Sequence, residues 1–392
     1  MVAFYAFTDM QLINAANIKR NCCADESGDL FIQMAERMSL NLIQAIENAG
    51  IFDRVYYIDP PLLLKRKWGF LGKLPKLWLF GYISAHKKYY KKVLNNYEID
   101  QKKYDTFFVS GYWADALSLL DYFYRHNCKM KVVLYEEGIG AYYHTRKELC
   151  QHSPDTISKK ARLQRTFIYY REEKKFRRLP QMLYLYRPEL YHEDKRLQTQ
   201  EIPVISVNNP CFTIMDKLYS STEQSYVLRY SKKKVYFFAM HTLKGYEDNH
   251  DRTYTIIDAA LEELFADDFL IRAHPEGQVH REEYGAQYES KVYIDRTGIS
   301  LEPIFSQIDI ENKIFIGRQT AAIMYPKYMF GKEPYVIFTY RLYQEYYRDL
   351  DEITERYALD LQSTYSDPCK VMIPRTVQEF KNDLSRIYHS MF

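Results

Sequence analysis

The chain has 392 residues, 47% hydrophobic and 27% charged, and its 54 Lys and Arg nearly balance 51 Asp and Glu at a net charge of +3. That length exceeds one ordinary core and predicts two domains, while the balanced charge excludes nucleic acid as an expected partner. No apolar run is long enough to cross a bilayer, and Met1–Phe7 lacks the basic segment of a secretory signal. The six cysteines (Cys22, Cys23, Cys128, Cys150, Cys211, Cys369) have no metal-type spacing and are expected as reduced thiols of a cytoplasmic protein. The 38 tyrosines supply amphipathic surface able to stack on sugars, although packing accounts for most of them.

Val2–Phe7 is predicted as the first strand, and Thr8-Asp9 as the cap of a helix over Met10–Ile18. The amides of Asp9–Gln11 then lie at a helix amino end, which either attracts an anion or forms a plain capped turn. A second helix is predicted over Asp29–Ala49, ended by Gly50, with a strand over Arg54–Ile58. Between Pro60 and Val93, Trp68, Phe70, Trp78 and Phe80 alternate with Lys65, Arg66, Lys67, Lys73 and Lys76. Such a basic aromatic segment can lie among anionic headgroups; its Gly and Pro interruptions favour instead a partly buried insertion with solvated lysines. Tyr104–Ser110 is a strand and Trp113–Arg125 a helix. Val132–Leu134 is a buried strand that runs out into Glu136-Glu137-Gly138, two adjacent carboxylates before a glycine turn. Like charges side by side repel, so one of the two is expected to hold its proton more tightly. Ser158–Arg196 reads as helical and connecting, with its charges on a solvated face.

A boundary is predicted near residue 200, giving domains 1–200 and 201–392, and the α/β rhythm then restarts. Lys234–Ala239 is a strand, His241–Asp251 a polar loop with Glu247 and Asp248, and Tyr254–Phe265 a helix. Phe269–Arg272 is a strand ending at His274-Pro275; Lys291–Ile294 is another, and Glu302 opens a short helix. Lys313–Ile316 ends in Gly317-Arg318-Gln319-Thr320 before a helix over Ala321–Tyr328, and Tyr335–Thr339 is a further strand. Three turns in this half therefore follow strands and should gather at one edge of a parallel sheet. Singly they are a strand-ending His-Pro, an acidic first turn and an ordinary cap. Together they supply an imidazole, a carboxylate and a hydroxyl with helix amides, the equipment for a nucleotide phosphate and ribose.

These residues carry a resemblance. The strand followed by Thr8-Asp9-Met10-Gln11-Leu12, the Glu136-Glu137-Gly138 motif, His274-Pro275, Glu302 and Thr320 are similar, in that order, to the bacterial sialyltransferases. The match is most specific to the lipooligosaccharide and capsule family numbered 52 among glycosyltransferases. Gln319 stands where that family has Ser, and Asp9 where it has Pro. The resemblance implies an α/β GT-B fold, two Rossmann-like domains facing across a cleft, with acceptor on the first and donor on the second. It implies inverting transfer of sialic acid from CMP-sialic acid to a surface-glycan hydroxyl of terminal galactose type, with no cofactor or metal.

In that reaction Glu137 is expected as general base, with Glu136 tuning or replacing it, and His274 as donor to the departing phosphate. His274, Pro275, Glu302, Gln319 and Thr320 are expected to bind the donor, and Glu247 or Asp248 is an alternative base. The expected partners are a nucleotide-sugar donor and an oligosaccharide or glycolipid acceptor. A second copy of the chain and the inner face of a membrane are further candidates. A GT-B transferase using another activated sugar, or a non-catalytic glycan-binding protein, remains open as an alternative.

Overall fold

The computed structural model describes residues 1–34, 38–58, 90–100, 102–111, 114–143, 176, 178–216, 224–239, 249–274, 285–343 and 348–391. The chain divides into two compact units, Met1–Pro203 and Val204–Phe392.

The first unit contains β1 (Val2–Ala6), α1 (Asp9–Cys22), β2 (Gly28–Gln33), α2 (Leu40–Asn48), β3 (Arg54–Ile58), β4 (Thr106–Val109) and α3 (Ala114–His126). It continues with β5 (Lys131–Tyr135), β6 (Met182–Leu185) and β7 (Gln198–Glu201). The strands form one 7-stranded sheet in the order β3-β2-β1-β4-β5-β6-β7, parallel at every pairing. Chain order reverses direction between β1 and β4, the topological switch at which such sheets bind ligands. β1 is buried along its whole length, as expected of a strand covered on both faces.

Two expectations fail here. Asp29–Ala49 is not one helix: Gly28–Gln33 is strand β2, and the helix starts only at Leu40. Leu30-Phe31-Ile32 is a short apolar run whose periodicity suits either state, and pairing to both β1 and β3 decides it. The connecting stretch up to Arg196 likewise contains strand β6, because Leu183 and Tyr184 find partners on β5. Gly50 does end α2, with φ of 60° and its N–H on Glu47 O at 3.0 Å.

The second unit contains α4 (Pro210–Asp216), α5 (Gln224–Lys232), β8 (Val235–Phe238), α6 (Asn249–Leu261), β9 (Phe269–Arg272), β10 (Tyr293–Asp295) and α7 (Glu302–Gln307). It continues with β11 (Ile314–Gly317), α8 (Ala321–Tyr328), β12 (Tyr335–Phe338), α9 (Arg348–Thr364), β13 (Val371–Met372) and α10 (Val377–Met391). Its 6-stranded sheet runs β10-β9-β8-β11-β12-β13, again all parallel. The switch point falls between β8 and β11.

The largest fully buried side chains are tyrosines, among them Tyr5, Tyr135, Tyr142, Tyr230 and Tyr236. Several aim their hydroxyls at acceptors inside the units, as Tyr135 does at Tyr5 O (2.6 Å) and Tyr236 at Tyr230 O (2.5 Å). A buried tyrosine must satisfy its hydroxyl; main-chain carbonyls do so for Tyr135 and Tyr236, and carboxylates do so for Tyr142 and Tyr230.

Residues 59–89, which include most of the predicted basic aromatic insertion, lie outside the described residues, as do Glu247, Asp248 and Pro275. Among the described residues, no helix is long and apolar enough to cross a membrane, and Cys22, Cys23, Cys128, Cys211 and Cys369 are free.

Candidate active site

Because every strand of the second sheet points the same way, the segments after β9, β10 and β11 emerge at one edge. His274, Glu302, Gln319 and Thr320 stand there, all partly exposed, so the expectation that these turns share an edge holds. His274 follows β9 after one residue, Ala273. The pairing carries on past the strand end, with Ala239 N–H on Arg272 O and Ala273 N–H on Asp295 O, both at 2.9 Å.

Thr320 caps α8, its Oγ1 accepting from Ala322 N–H at 3.3 Å, and its carbonyl accepts from Tyr357 Oη at 3.1 Å. The turn before it depends on Gly317: a Cβ there would stand 2.9 Å from Ile323 Cδ1, so glycine lets α8 start close against β11. Gln319 lies between this glycine turn and the cap.

Glu302 is presented by a buried polar anchor that the sequence reading missed. Arg272 ends β9 and Asp295 ends β10; they are register partners and form an ion pair with side chains 5% and 1% exposed. Asp295 also accepts from Tyr230 Oη at 2.5 Å, and from Thr297 N–H and Oγ1 at 2.9 and 2.7 Å. The other arm of the Arg272 guanidinium donates to Ile299 O. The segment from Asp295 to Ile299, which leads into Glu302, is thereby tied to the sheet. A charged residue closing each of two otherwise apolar strands, Phe-Leu-Ile-Arg and Tyr-Ile-Asp, is the signal that would have found the pair.

Arg318, in the turn before Thr320, also belongs to this edge. It is 8% exposed, and its guanidinium lies 4.9 Å from the centre of the Tyr343 ring, a cation–π distance. Tyr343 Oη shares a hydrogen bond with Thr253 Oγ1 at 2.9 Å, and Arg252 Nε donates to Leu342 O at 2.8 Å. The turn after β11 and the first turn of α6 thus each present a guanidinium to the segment after β12.

In the first unit the adjacent acids part company. Glu137 is partly exposed, whereas Glu136 is fully buried. Glu136 Oε2 accepts from Tyr142 Oη at 2.6 Å and from Tyr186 N–H at 2.9 Å, and its carbonyl accepts from Asn14 Nδ2 at 3.0 Å. Burial pushes its carboxyl up to about 7, against the pull of the Tyr142 and Tyr186 donors. Repulsion between neighbours predicts a raised value; its cause is burial instead.

The amino end of α1 serves the chain itself. Gln11 N–H is taken by Thr8 Oγ1 at 3.2 Å, Phe7 N–H by Gln11 Oε1 at 2.9 Å, and Asp9 Oδ1 accepts from Ser39 N–H at 2.8 Å. This is the capped-turn alternative. Among the described residues, no group of three or more His, Cys, Asp or Glu side chains is arranged to hold a metal.

No known protein family matches the sequence, and no curated protein does. Among solved structures the chain is similar to one described as a UDP-N-acetylglucosamine 2-epimerase of Listeria monocytogenes, with a TM-score of 0.51 and 8% identity over 99% of this chain and 87% of that one. It is also similar to a UDP-GlcNAc 2-epimerase of Methanocaldococcus jannaschii solved with UDP-GlcNAc and UDP (TM-score 0.48, 13% identity, 100% and 92% covered). A third is the GT-B domain of a sialyltransferase from Photobacterium damselae (TM-score 0.47, 11% identity, 95% and 99% covered). Likeness at such identities bears on the fold. With the two sheet orders, the first of these supports a GT-B fold of two Rossmann-like units.

Proposed function

We propose that the chain is an inverting glycosyltransferase that moves sialic acid from CMP-sialic acid to a hydroxyl of a surface glycan. The observation that carries the reading is the placement of its polar residues at strand ends. Glu137 is a partly exposed carboxylate after β5, and His274, Glu302 and Thr320 share the carboxyl edge of the second sheet. The ordered motif resemblance supplies the donor.

In the proposed step the acceptor oxygen bonds to the anomeric carbon of sialic acid as the bond from that carbon to the CMP phosphate oxygen breaks. Glu137 takes the acceptor's proton, and His274 gives one to the departing phosphate. Thr320 and its helix amides hold the phosphate, with Arg318 as a nearby cation, and Glu302 accepts from the ribose hydroxyls. The sugar becomes oxocarbenium-like in the transition state, so positioning and charge stabilisation do most of the work. The step draws on no metal or cofactor. The acceptor is an oligosaccharide or glycolipid, and the setting is the cytoplasm or the inner face of a membrane.

Calorimetry against CMP, CDP, UDP and GDP, followed by the mass change of a galactose-terminated acceptor, tests this. CMP should bind most tightly, and transfer should add one sialic acid. Preferential binding of UDP, with transfer from a UDP-sugar, would replace the donor and keep the fold-level reading. Glu137→Gln should lower turnover by roughly 10²–10⁴-fold; near-normal turnover would remove Glu137 from the base role.

A further inference from the structure

The loop that carries Glu137 is closed on itself. Glu136, immediately before it, donates its N–H to Tyr184 O at 3.0 Å and gives its carbonyl to Asn14 on α1. Its Oε2 takes the Tyr142 hydroxyl, six residues further on, and the Tyr186 amide beyond β6. Tyr142 Oη in turn accepts from Arg187 N–H at 3.1 Å. The Tyr186 hydroxyl donates to Asn14 Oδ1 at 2.8 Å, which closes the ring of contacts. On the other side of Glu137, Gly138 has φ of 87° and ψ of −159°, a region essentially restricted to glycine. A 3₁₀ turn over Ile139–Ala141 follows and returns the chain to Tyr142.

Glu137 is thus the partly exposed carboxylate of a loop whose residues on both sides are fixed. A fully buried carboxylate held by two donors is a poor candidate for meeting an acceptor, and its remaining oxygen, Oε1, is buried with no hydrogen-bond partner among the described residues. Leaving such an oxygen unsatisfied destabilises the fold, and a group retained under that penalty calls for a role. We propose that Glu136 is a positioning residue: with Asn14, Tyr142 and Tyr186 it holds the loop so that Glu137 meets the acceptor hydroxyl in one orientation. The inference rests on the reading of Glu137 as the base.

The groups facing the Glu136 carboxyl are the Tyr142 hydroxyl and the Tyr186 amide, with the Asn14 amide at its carbonyl; no side chain among these contacts carries a charge. Gln at position 136 keeps an oxygen for both donors, so Glu136→Gln should preserve the loop, whereas Glu136→Ala and Tyr142→Phe should loosen it. A displacement of about 1 Å at a reacting group can cost on the order of 10²-fold in rate.

The experiment measures kcat, KM for donor and CMP affinity for wild type, Glu136→Gln, Glu136→Ala, Tyr142→Phe and Glu137→Gln. Amide exchange at Tyr186 and Arg187 is followed in the same proteins. Expected are a loss of about 10–10² in kcat for Glu136→Ala and Tyr142→Phe with CMP affinity unchanged, and rescue in Glu136→Gln. Exchange at the two amides should quicken in Glu136→Ala and not in Glu136→Gln. Equal loss in Glu136→Gln and Glu136→Ala, with activity kept in Glu137→Gln, would make Glu136 the base and overturn the proposal. Unchanged kcat and exchange in Glu136→Ala would overturn it too. A wild-type protein that turns over no nucleotide sugar would instead defeat the functional reading, a result distinct from either.

Discussion

Arg272 and Asp295 are register partners on neighbouring parallel strands and form an ion pair buried in the second unit. Removing one partner leaves the other charge buried and unpaired, which typically costs about 3–5 kcal/mol, whereas replacing both with apolar residues costs far less. Arg272→Met alone should therefore destabilise the second unit by that amount in urea unfolding. The double variant with Asp295→Leu should recover most of the loss. Burial raises the Asp295 carboxyl, but Arg272, Tyr230 and Thr297 outweigh it and hold it below its ordinary range. Its contribution is therefore present above about pH 4 and lost as pH falls through the depressed value.

Glu136 has the opposite sign. Its folded value of about 7 lies above the unfolded one, so its neutral form favours the fold. The contribution is complete below about pH 4, falls as the unfolded chain alone loses its proton, and is gone above pH 7. For a shift of that size the linkage is on the order of 3 kcal/mol. Glu136→Gln, which cannot ionise, should be more stable than wild type at pH 8 and similar to it at pH 4. Denaturant titration at both values checks this, and equal differences at the two would refute it.

Gly138 should resist substitution. An L side chain at its backbone angles costs of order 1–3 kcal/mol of strain. Gly138→Ala should lower thermal stability and, by turning Glu137, lower kcat while CMP affinity is kept. An alanine protein with normal kcat would separate the loop from the chemistry.

The nucleotide edge has its own test. Arg318→Gln should weaken CMP binding by roughly 10–10²-fold if the guanidinium meets the phosphate in a charge-assisted bond, and should flatten the salt dependence of that binding. Thr320→Ala should weaken it as well and uncap α8 at a cost of about 0.5–2 kcal/mol; Thr320→Ser should restore both. Calorimetry at two ionic strengths reads the affinities. Unchanged binding in Arg318→Gln would remove that residue from the phosphate site.

Much of the fold was legible in the sequence because its units are local. A short apolar run such as Phe269–Arg272, a turn with His, Gly or Thr, and a Thr-capped stretch such as Ala321–Tyr328 signal themselves within a dozen residues. The shared edge of His274, Glu302 and Thr320 followed from the α/β alternation, since parallel strands send their carboxyl ends the same way. What stayed hidden depends on residues far apart in the chain. β2 is a strand because β1 and β3 pair with it. Glu136 is buried and Glu137 partly exposed because Tyr142, Tyr186 and Asn14 claim one of two neighbours that look alike in the sequence. Arg272 finds Asp295 only through sheet register. Propensity and turn chemistry act over a few bonds and can be read along the chain; burial and hydrogen-bond partners are assigned only when distant segments pack, so tertiary structure alone decides which carboxylate faces outward.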